Sequence, residues 1–236
     1  MWALVLAAGR GRRFGGLRPK QFETVGGERV LDRSLATARS VADHVVVVVG
    51  ADEAAIGEAL VEEGAADAVV IGGAERADSV RAGLASVADD AAVVVVHDAA
   101  RPLASADLYR SVVAAVRAGA DAAIPGLAVT DTVKSVAVAG AHHGAGLDGA
   151  QVVVETLDRG ELVAVQTPQA FRADVLRAAH VGSPDATDDA GLVEATGGTV
   201  VVVAGEPANL KITSPHDLIV LEALLGGLAD ADLDGR

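Results

Sequence analysis

Cysteine is absent from all 236 residues, which excludes disulfides, thiolate metal sites and a thiol nucleophile. Aromatic residues supply only 2% of a chain that is 51% hydrophobic, so a core must be packed from valine, alanine, leucine and isoleucine. Long apolar runs are missing as well. None approaches the ~18–20 residues that a membrane-crossing helix needs, and no basic-then-apolar leader precedes the first apolar segment. A soluble cytoplasmic protein is the expectation. Positive charge is scarce, with 19 Lys and Arg against 33 Asp and Glu and a net charge of −14. A nucleic-acid-coating surface, which needs a basic face, is not expected. Lysine is scarcest of all, with Lys20, Lys134 and Lys211 set against sixteen arginines. A compact ammonium kept among so many planar guanidiniums marks these three positions.

Against that background the first twenty residues reverse the sign of the chain. Trp2 to Ala7 is an apolar run that reads as a buried parallel strand. It ends in Ala8, Gly9 and Gly11, small residues that let backbone N–H groups approach a ligand. Arg10, Arg12, Arg13, Arg18 and Lys20 follow before the first acidic residue, Glu23. Such a loop suits a polyanion, and a nucleoside triphosphate is the simplest one. A dinucleotide fingerprint fits poorly, because Phe14 stands where the third glycine belongs and Pro19 interrupts the helix that should follow. Lys20 followed by Gln21 is not a P-loop. A solvated cationic loop without a ligand is the remaining alternative.

Strands and helices then alternate. Helical spacing covers Val30 to Ser40, followed by the β-branched run His44 to Val49. Asp52 reads as the cap of a helix reaching about Glu63, and Ala68 to Ile71 as a third strand ending in Gly72-Gly73. A helix over Arg76 to Val87, a strand over Ala92 to Val96 ending at His97-Asp98, a helix from about Ser105 to Ala118 and a short strand from Asp121 to Ile124 complete this part. Strands apolar on both faces, alternating with helices, predict a mostly parallel sheet flanked by helices, an α/β fold. Ligands of such sheets bind beyond the carboxyl ends of the strands. Those ends carry Ala8 to Lys20, Gly72 to Ser79, and His97 to Pro102. Taken singly, Ser79 reads equally as a solvent-facing hydroxyl, and Asp98 with Arg101 as a local ion pair.

From about residue 130 to 165 the rhythm changes. Thr132 to Val138 and Val152 to Thr156 alternate polar and apolar around a loop with His142-His143, which predicts a two-stranded excursion. An isolated hairpin is marginal in water, so this β-arm is expected to pack on a second copy of the chain. The histidines read as loop residues, with Asp148 the one acid near them. Beyond the arm, Gln166 to Gln169 leads into a helix over Phe171 to Ala179, and Thr187 reads as the cap of another. Thr199 to Val203 reads as the last buried strand and Asn209 to Thr213 as a short one. Ser214, Pro215 and Asp217 open a final helix. The whole is expected to be one domain, residues 1–236, with the arm as an excursion.

The motifs Leu6-Ala7-Ala8-Gly9-x-Gly11-x-Arg13, Pro19-Lys20-Gln21, Gly72-Gly73-x-Glu75-Arg76-x-x-Ser79-Val80, His97-Asp98-Ala99-Ala100-Arg101-Pro102, Asp131-Thr132-Val133-Lys134, Asp158-Arg159, Thr167-Pro168-Gln169 and Asn209-x-Lys211 stand in this order. Together they resemble the 2-C-methyl-D-erythritol 4-phosphate cytidylyltransferase family of the non-mevalonate isoprenoid pathway, over residues 3 to 222. The resemblance implies a Rossmann-like nucleotidyltransferase fold. It implies attack of the acceptor phosphate on the α-phosphorus of CTP, with release of pyrophosphate. Arg13 and Lys20 resemble the pair that stabilises the α-phosphate and leaving group, and Arg159 and Lys211 the pair that positions the sugar phosphate. Asp98 and Arg101 would meet the polyol. Ala8, Gly9, Gly73 and Ser79 would hold cytosine and ribose. Ala7, Arg76, Ala99, Thr132, Thr156 and Thr167 fall among the implied substrate-binding positions. Arg159 and Thr132 would be offered across a homodimer. A divalent ion, Mg²⁺, would bridge the triphosphate, with Asp98 as a candidate protein ligand. Ala74 and Ala208 depart from the family pattern, the first weakening side-chain readout of the base. Ribitol-5-phosphate cytidylyltransferase, an idle CTP-sensing module and a dehydrogenase are the competing functions.

Overall fold

The computed structural model describes residues 1–9, 11, 14–15, 18–138, 149–182 and 188–234, with the side chains of the last helix described through 227. The strands are β1 (Trp2–Ala7), β2 (Thr24–Val25), β3 (Glu28–Arg29), β4 (His44–Val49), β5 (Ala68–Ile71), β6 (Val93–Asp98), β7 (Ala122–Ala128), β8 (Lys134–Val138), β9 (Gln151–Thr156), β10 (Val163–Val165), β11 (Gln169–Arg172) and β12 (Val200–Ala204). The helices are α1 (Val30–Val41), α2 (Ala54–Glu62), α3 (Arg76–Leu84), α4 (Ala106–Arg117), α5 (Ala173–Ala179), α6 (Asp189–Ala195) and α7 (Pro215–Asp234).

Eight strands form one sheet in the order β10-β7-β11-β6-β1-β4-β5, with β12 beside β7. β1 lies between β4 and β6 and runs parallel to both, Leu4 opposite Val46 on one side and Val96 on the other. That placement explains its unbroken apolarity, because both of its faces are covered. Ala3, Val5 and Ala7 face one side with Val45, Val47 and Val49, packed under Leu31 and Leu35 of α1, Leu60 of α2 and Leu108 and Val112 of α4. Leu4, Val46, Val94 and Val96 face the other, under Val80 of α3, Leu176 of α5 and Val193 of α6. The period-two alternation of a strand thus splits one valine-rich run between two cores. A third cluster joins Phe14, Val25, Val30, Ala100, Ile212 and Leu221, tying the N-terminal loop to the C-terminal helix.

The mostly parallel α/β sheet agrees with the sequence reading, and several details differ. Residues Gln169–Arg172 form β11, antiparallel to both β6 and β7, so the helix begins at Ala173 rather than Phe171. Phe171 is fully buried between its strand neighbours. β7 runs on to Ala128 because Val163–Val165 pairs with its second half as β10. Residues 209–213 form no strand; the Ile212 N–H donates to the Ala100 carbonyl at 2.9 Å outside any ladder. A 3-10 turn, Ala51–Glu53, precedes α2, and Glu53 rather than Asp52 holds its cap position. Asp188 caps α6, its carboxylate accepting from the Gly191 N–H at 3.0 Å. Thr187, His142, His143 and Asp148 lie outside the described residues. At α7 the Asp217 carboxylate accepts from the Thr213 and Ser214 N–H groups, both at 2.7 Å, which fixes the helix start where it is expected.

The excursion is present as a separate two-stranded antiparallel sheet, β8 with β9, Lys134 opposite Thr156. Its valines Val136, Val138, Val153 and Val154 are exposed.

Candidate active site

Because β1, β4, β5 and β6 are parallel, their carboxyl ends share one edge of the sheet. β1 delivers Ala7, Ala8 and Gly9 there. Gln21, buried beneath them, donates from Nε2 to the carbonyls of Ala7 at 2.5 Å and Gly9 at 3.1 Å, so the loop's return path is pinned to its start. β5 delivers Gly72 and Gly73. A Cβ on Gly72 would stand 2.6 Å from both Ala8 Cβ and Ser79 Oγ, and one on Gly73 2.2 Å from Asp78 Cβ. Glycine is therefore required by close approach, and the backbone here lies bare beside α3. Ser79 does not face solvent; it is buried, with its hydroxyl donating to the Glu75 carbonyl at 3.3 Å.

β6 ends in the densest polar cluster. Asp98 Oδ2 accepts from Lys211 Nζ at 2.5 Å, and Asp98 Oδ1 from Arg76 Nε at 3.4 Å. Arg76 Nη1 bonds Asp189 Oδ2 at 2.6 Å. Burial by itself would raise the Asp98 pKa, but the charges of Arg76 and Lys211 outweigh it and hold the carboxyl well below its usual range. Arg76 is raised for the matching reason: burial opposes its charge, and Asp189 and Asp98 more than restore it. Arg101, three residues on, does not pair with Asp98. Its Nη1 donates to the Asn209 carbonyl at 2.8 Å and its Nη2 to the Val165 carbonyl at 3.3 Å. It thereby ties β10 to the segment carrying Lys211, and burial lowers its pKa.

His97 sits wholly buried behind this edge, and its bonds fix its tautomer. The Arg101 carbonyl, 3.2 Å from Nε2, can only accept, so Nε2 carries the hydrogen. Nδ1 then accepts from the Thr167 hydroxyl at 3.2 Å, and that hydroxyl oxygen accepts from the Asp98 N–H at 3.0 Å. Burial pushes the His97 pKa down to about 4, keeping the ring neutral. Thr167 precedes a cis proline, and Asn209 Nδ2 donates to its carbonyl at 2.9 Å. Gln166 bridges the same region, donating to the carbonyls of Glu206 at 2.9 Å and Asn209 at 3.1 Å. Lys20 Nζ donates to the carbonyl of Ile212, the residue after Lys211, so the chain's first and last lysines share one short segment.

The structure therefore gathers Ala7, Ala8, Gly9, Lys20, Gly73, Arg76, Ser79, Asp98, Ala99, Arg101, Thr167 and Lys211 along one sheet edge and its flanking loops. Thr132, Thr156 and Arg159 are exposed at the base of the arm. There Lys134 Nζ donates to Thr156 Oγ1 at 2.5 Å, and Arg159 Nη1 to the Thr130 carbonyl. Among the described residues, no hydrogen bond or ion pair joins these three to Asp98 or Lys211. Arg13 lies outside the described residues. Sequence reasoning assigned no functional role to Asp189 or to His97. A histidine flanked by four valines and an aspartate was the available signal for His97.

At this edge Lys20, Arg76, Arg101 and Lys211 gather around Asp98, in a chain that is acidic overall. A parallel sheet whose ligand edge carries such cations, beside bare glycine backbone, defines an α/β enzyme acting on phosphorylated substrates. The family model for 2-C-methyl-D-erythritol 4-phosphate cytidylyltransferase (IspD) matches residues 1–227, and the chain belongs to that family. It is 48% identical over 225 residues to the 2-C-methyl-D-erythritol 4-phosphate cytidylyltransferase of Nocardia farcinica, covering 94% of this chain and 93% of that one. Among solved structures, 4-diphosphocytidyl-2C-methyl-D-erythritol synthase of Anaerococcus prevotii superposes with a TM-score of 0.78 at 30% identity, covering 95% and 97% of the two chains. The 2-C-methyl-D-erythritol 4-phosphate cytidylyltransferase of Thermus thermophilus does so with a TM-score of 0.72 at 33% identity, covering 94% and 97%.

Proposed function

We propose that the chain transfers CMP from CTP to 2-C-methyl-D-erythritol 4-phosphate, giving CDP-methylerythritol and pyrophosphate for isoprenoid precursor synthesis. The observation that carries this reading is the meeting of Lys20 and Lys211 at one segment beside Asp98, Arg76 and the bare Gly72-Gly73 backbone. An acceptor phosphate oxygen forms a bond to the α-phosphorus. The bond from that phosphorus to the bridging oxygen breaks, and its electron pair leaves with pyrophosphate. No proton has to move. The work is charge neutralisation and in-line placement, which preorganised cations supply.

Lys20, with Arg13 by its place in the motif, neutralises the α-phosphate and the departing pyrophosphate. Lys211 and Arg159 hold the sugar phosphate, and Asp98 and Arg101 face its hydroxyls. Ala7, Ala8, Gly9, Gly73 and Ser79 seat the nucleoside largely through backbone, while Arg76, Ala99 and Thr167 shape the floor beneath. The chain works as a single domain with an arm. Thr132, Thr156 and Arg159 on that arm reach the site of a second copy, which would cover the exposed valines of β8 and β9.

A divalent cation fits this donor set in a limited way. Among the described residues no three His, Asp or Glu converge as a metal site. Asp98 is a single ionised carboxylate at the phosphate-facing edge, which suits Mg²⁺ held mainly by phosphate oxygens and water. When bound, the ion would neutralise triphosphate charge.

The test is pyrophosphate release with CTP and Mg²⁺, offering methylerythritol 4-phosphate and ribitol 5-phosphate in parallel. Release with the first alone is expected; release with the second alone would reassign the acceptor. CTP binding without release from either would leave a nucleotide-sensing module. Mixed dimers of Lys20→Ala and Arg159→Ala chains should regain activity that neither parent has, if the arm crosses between copies.

A further inference from the structure

Asp189 is a carboxylic residue only 1% exposed, and it belongs to none of the roles above. A carboxylate so enclosed persists only when paired, and both of its oxygens are. Oδ1 accepts from His180 Nε2 at 3.0 Å, and Oδ2 from Arg76 Nη1 at 2.6 Å. His180 is itself buried, so one side of the pair is anchored in the core between α5 and α6. The neighbouring Asp188 carboxylate caps α6 and accepts from Gln169 Nε2 at 3.2 Å, fixing the segment to β11.

The consequence runs outward through shared partners. Arg76 is divided between Asp189 at 2.6 Å and Asp98 at 3.4 Å, so its tighter bond faces away from the site. Asp98 is in turn divided between Arg76 at 3.4 Å and Lys211 at 2.5 Å. We propose that Asp189 is a positioning residue: by holding Arg76 back, it leaves Asp98 to Lys211 and so fixes where that ammonium is presented. With the Asp189 charge gone, Arg76 turns its full charge on Asp98 and competes Lys211 away. The geometric claim stands apart from any substrate; its meaning for acceptor binding rests on the role proposed for Lys211.

The chain's three lysines provide the measurement. Acetylation of the folded protein, followed by peptide mass spectrometry, gives the labelling rate of Lys211 relative to Lys134 on the arm. In Asp189→Asn that ratio is expected to rise about fivefold, the scale of one partly exposed ion pair lost. In an Arg76→Gln background the same substitution should change it by less than about twofold, because the intermediary is gone. An unchanged ratio in folded Asp189→Asn, or an equal rise without Arg76, overturns the proposal. If Asp189→Asn does not fold, His180→Gln carries the test, since it keeps the carboxylate and loosens its anchor. A smaller rise is expected there, and no rise overturns the proposal. In turnover, the KM for methylerythritol phosphate should rise with the labelling ratio while the KM for CTP holds. Changed labelling with neither KM altered would uphold the positioning of Lys211 and remove its assignment to the sugar phosphate.

Discussion

The carboxyl edge of β6 and the β8–β9 arm are built on opposite terms. At the edge the chain supplies its own partners: Asp98 has Arg76 and Lys211, Arg76 has Asp189, and Thr167 links the Asp98 backbone to His97. On the arm, apolar side chains have been left to water, with Val138 71% exposed and Val154 65%. A two-stranded sheet has little stability alone, and the second copy proposed above would cover these valines. The edge is preorganised by its own ion pairs, whereas the arm has no such partners among the described residues. One set of substitutions should therefore act on chemistry and the other on assembly.

The largest expected effect lies at the edge. Lys20→Ala should cut turnover by on the order of 10²–10³ while leaving the thermal midpoint nearly unchanged, the scale of losing one preorganised charge stabiliser. Steady-state pyrophosphate release checks it. The arm should respond differently: Val138→Asp together with Val154→Asp is expected to shift sedimentation toward the monomer and lower activity, with far-ultraviolet circular dichroism retained. If the double variant sediments and turns over like the parent, the arm is not an interface.

A smaller effect separates the edge from the arm by pH. His97, ordinarily titrating near 6.5, is held neutral down to about 4. Between those values the unfolded chain binds a proton that the native protein excludes, so stability rises with pH across that window and His97 adds no slope below it. The slope is at most about 1.4 kcal/mol per pH unit for one proton. His97→Gln should remove it from urea midpoints measured between pH 4.5 and 6.5. The smallest effect is expected at the start of α7. Burial would raise the Asp217 pKa, but hydrogen bonds from Thr213 and Ser214 bring it down to about 2. Its contribution is full above the ordinary carboxylate pKa of 3.8 and is lost as pH falls through about 2. Asp217→Asn should cost about 1 kcal/mol at neutral pH, typical of a lost helix cap.

Legibility in the sequence followed the range of the interactions. β4 and β6 were readable because valine runs declare a strand buried on both faces, β5 because its short apolar run ends in glycines, and α1 because its apolar residues recur at helical spacing. The glycines after β5 were readable as bare backbone. β11 was not: Gln169 to Arg172 has no alternation of its own, and its strand character comes from Val94 and Val96 alongside. Asp189 was missed for the same reason. Its position in a first helical turn is a local fact, whereas its bond to Arg76 spans 113 residues. Residues 209–213 have β-like composition but find no ladder to join, because Ile212 bonds a loop carbonyl at Ala100.

The bond from Lys20 to the Ile212 carbonyl closes a separation of 192 residues, and that from Lys211 to Asp98 one of 113. Synthesis proceeds from the N-terminus, and early segments begin to fold before later ones emerge. The ribosome therefore releases Lys20, the glycine turn and the β6 aspartate long before it releases the strap that joins them. A nascent chain stopped short of residue 209 would hold β1, β4, β5 and β6 and still lack the junction of its two lysines. On the roles proposed for Lys20 and Lys211, competence is expected only once Ile212 has emerged, and a product cut before it is expected to keep the earlier contacts and lose turnover.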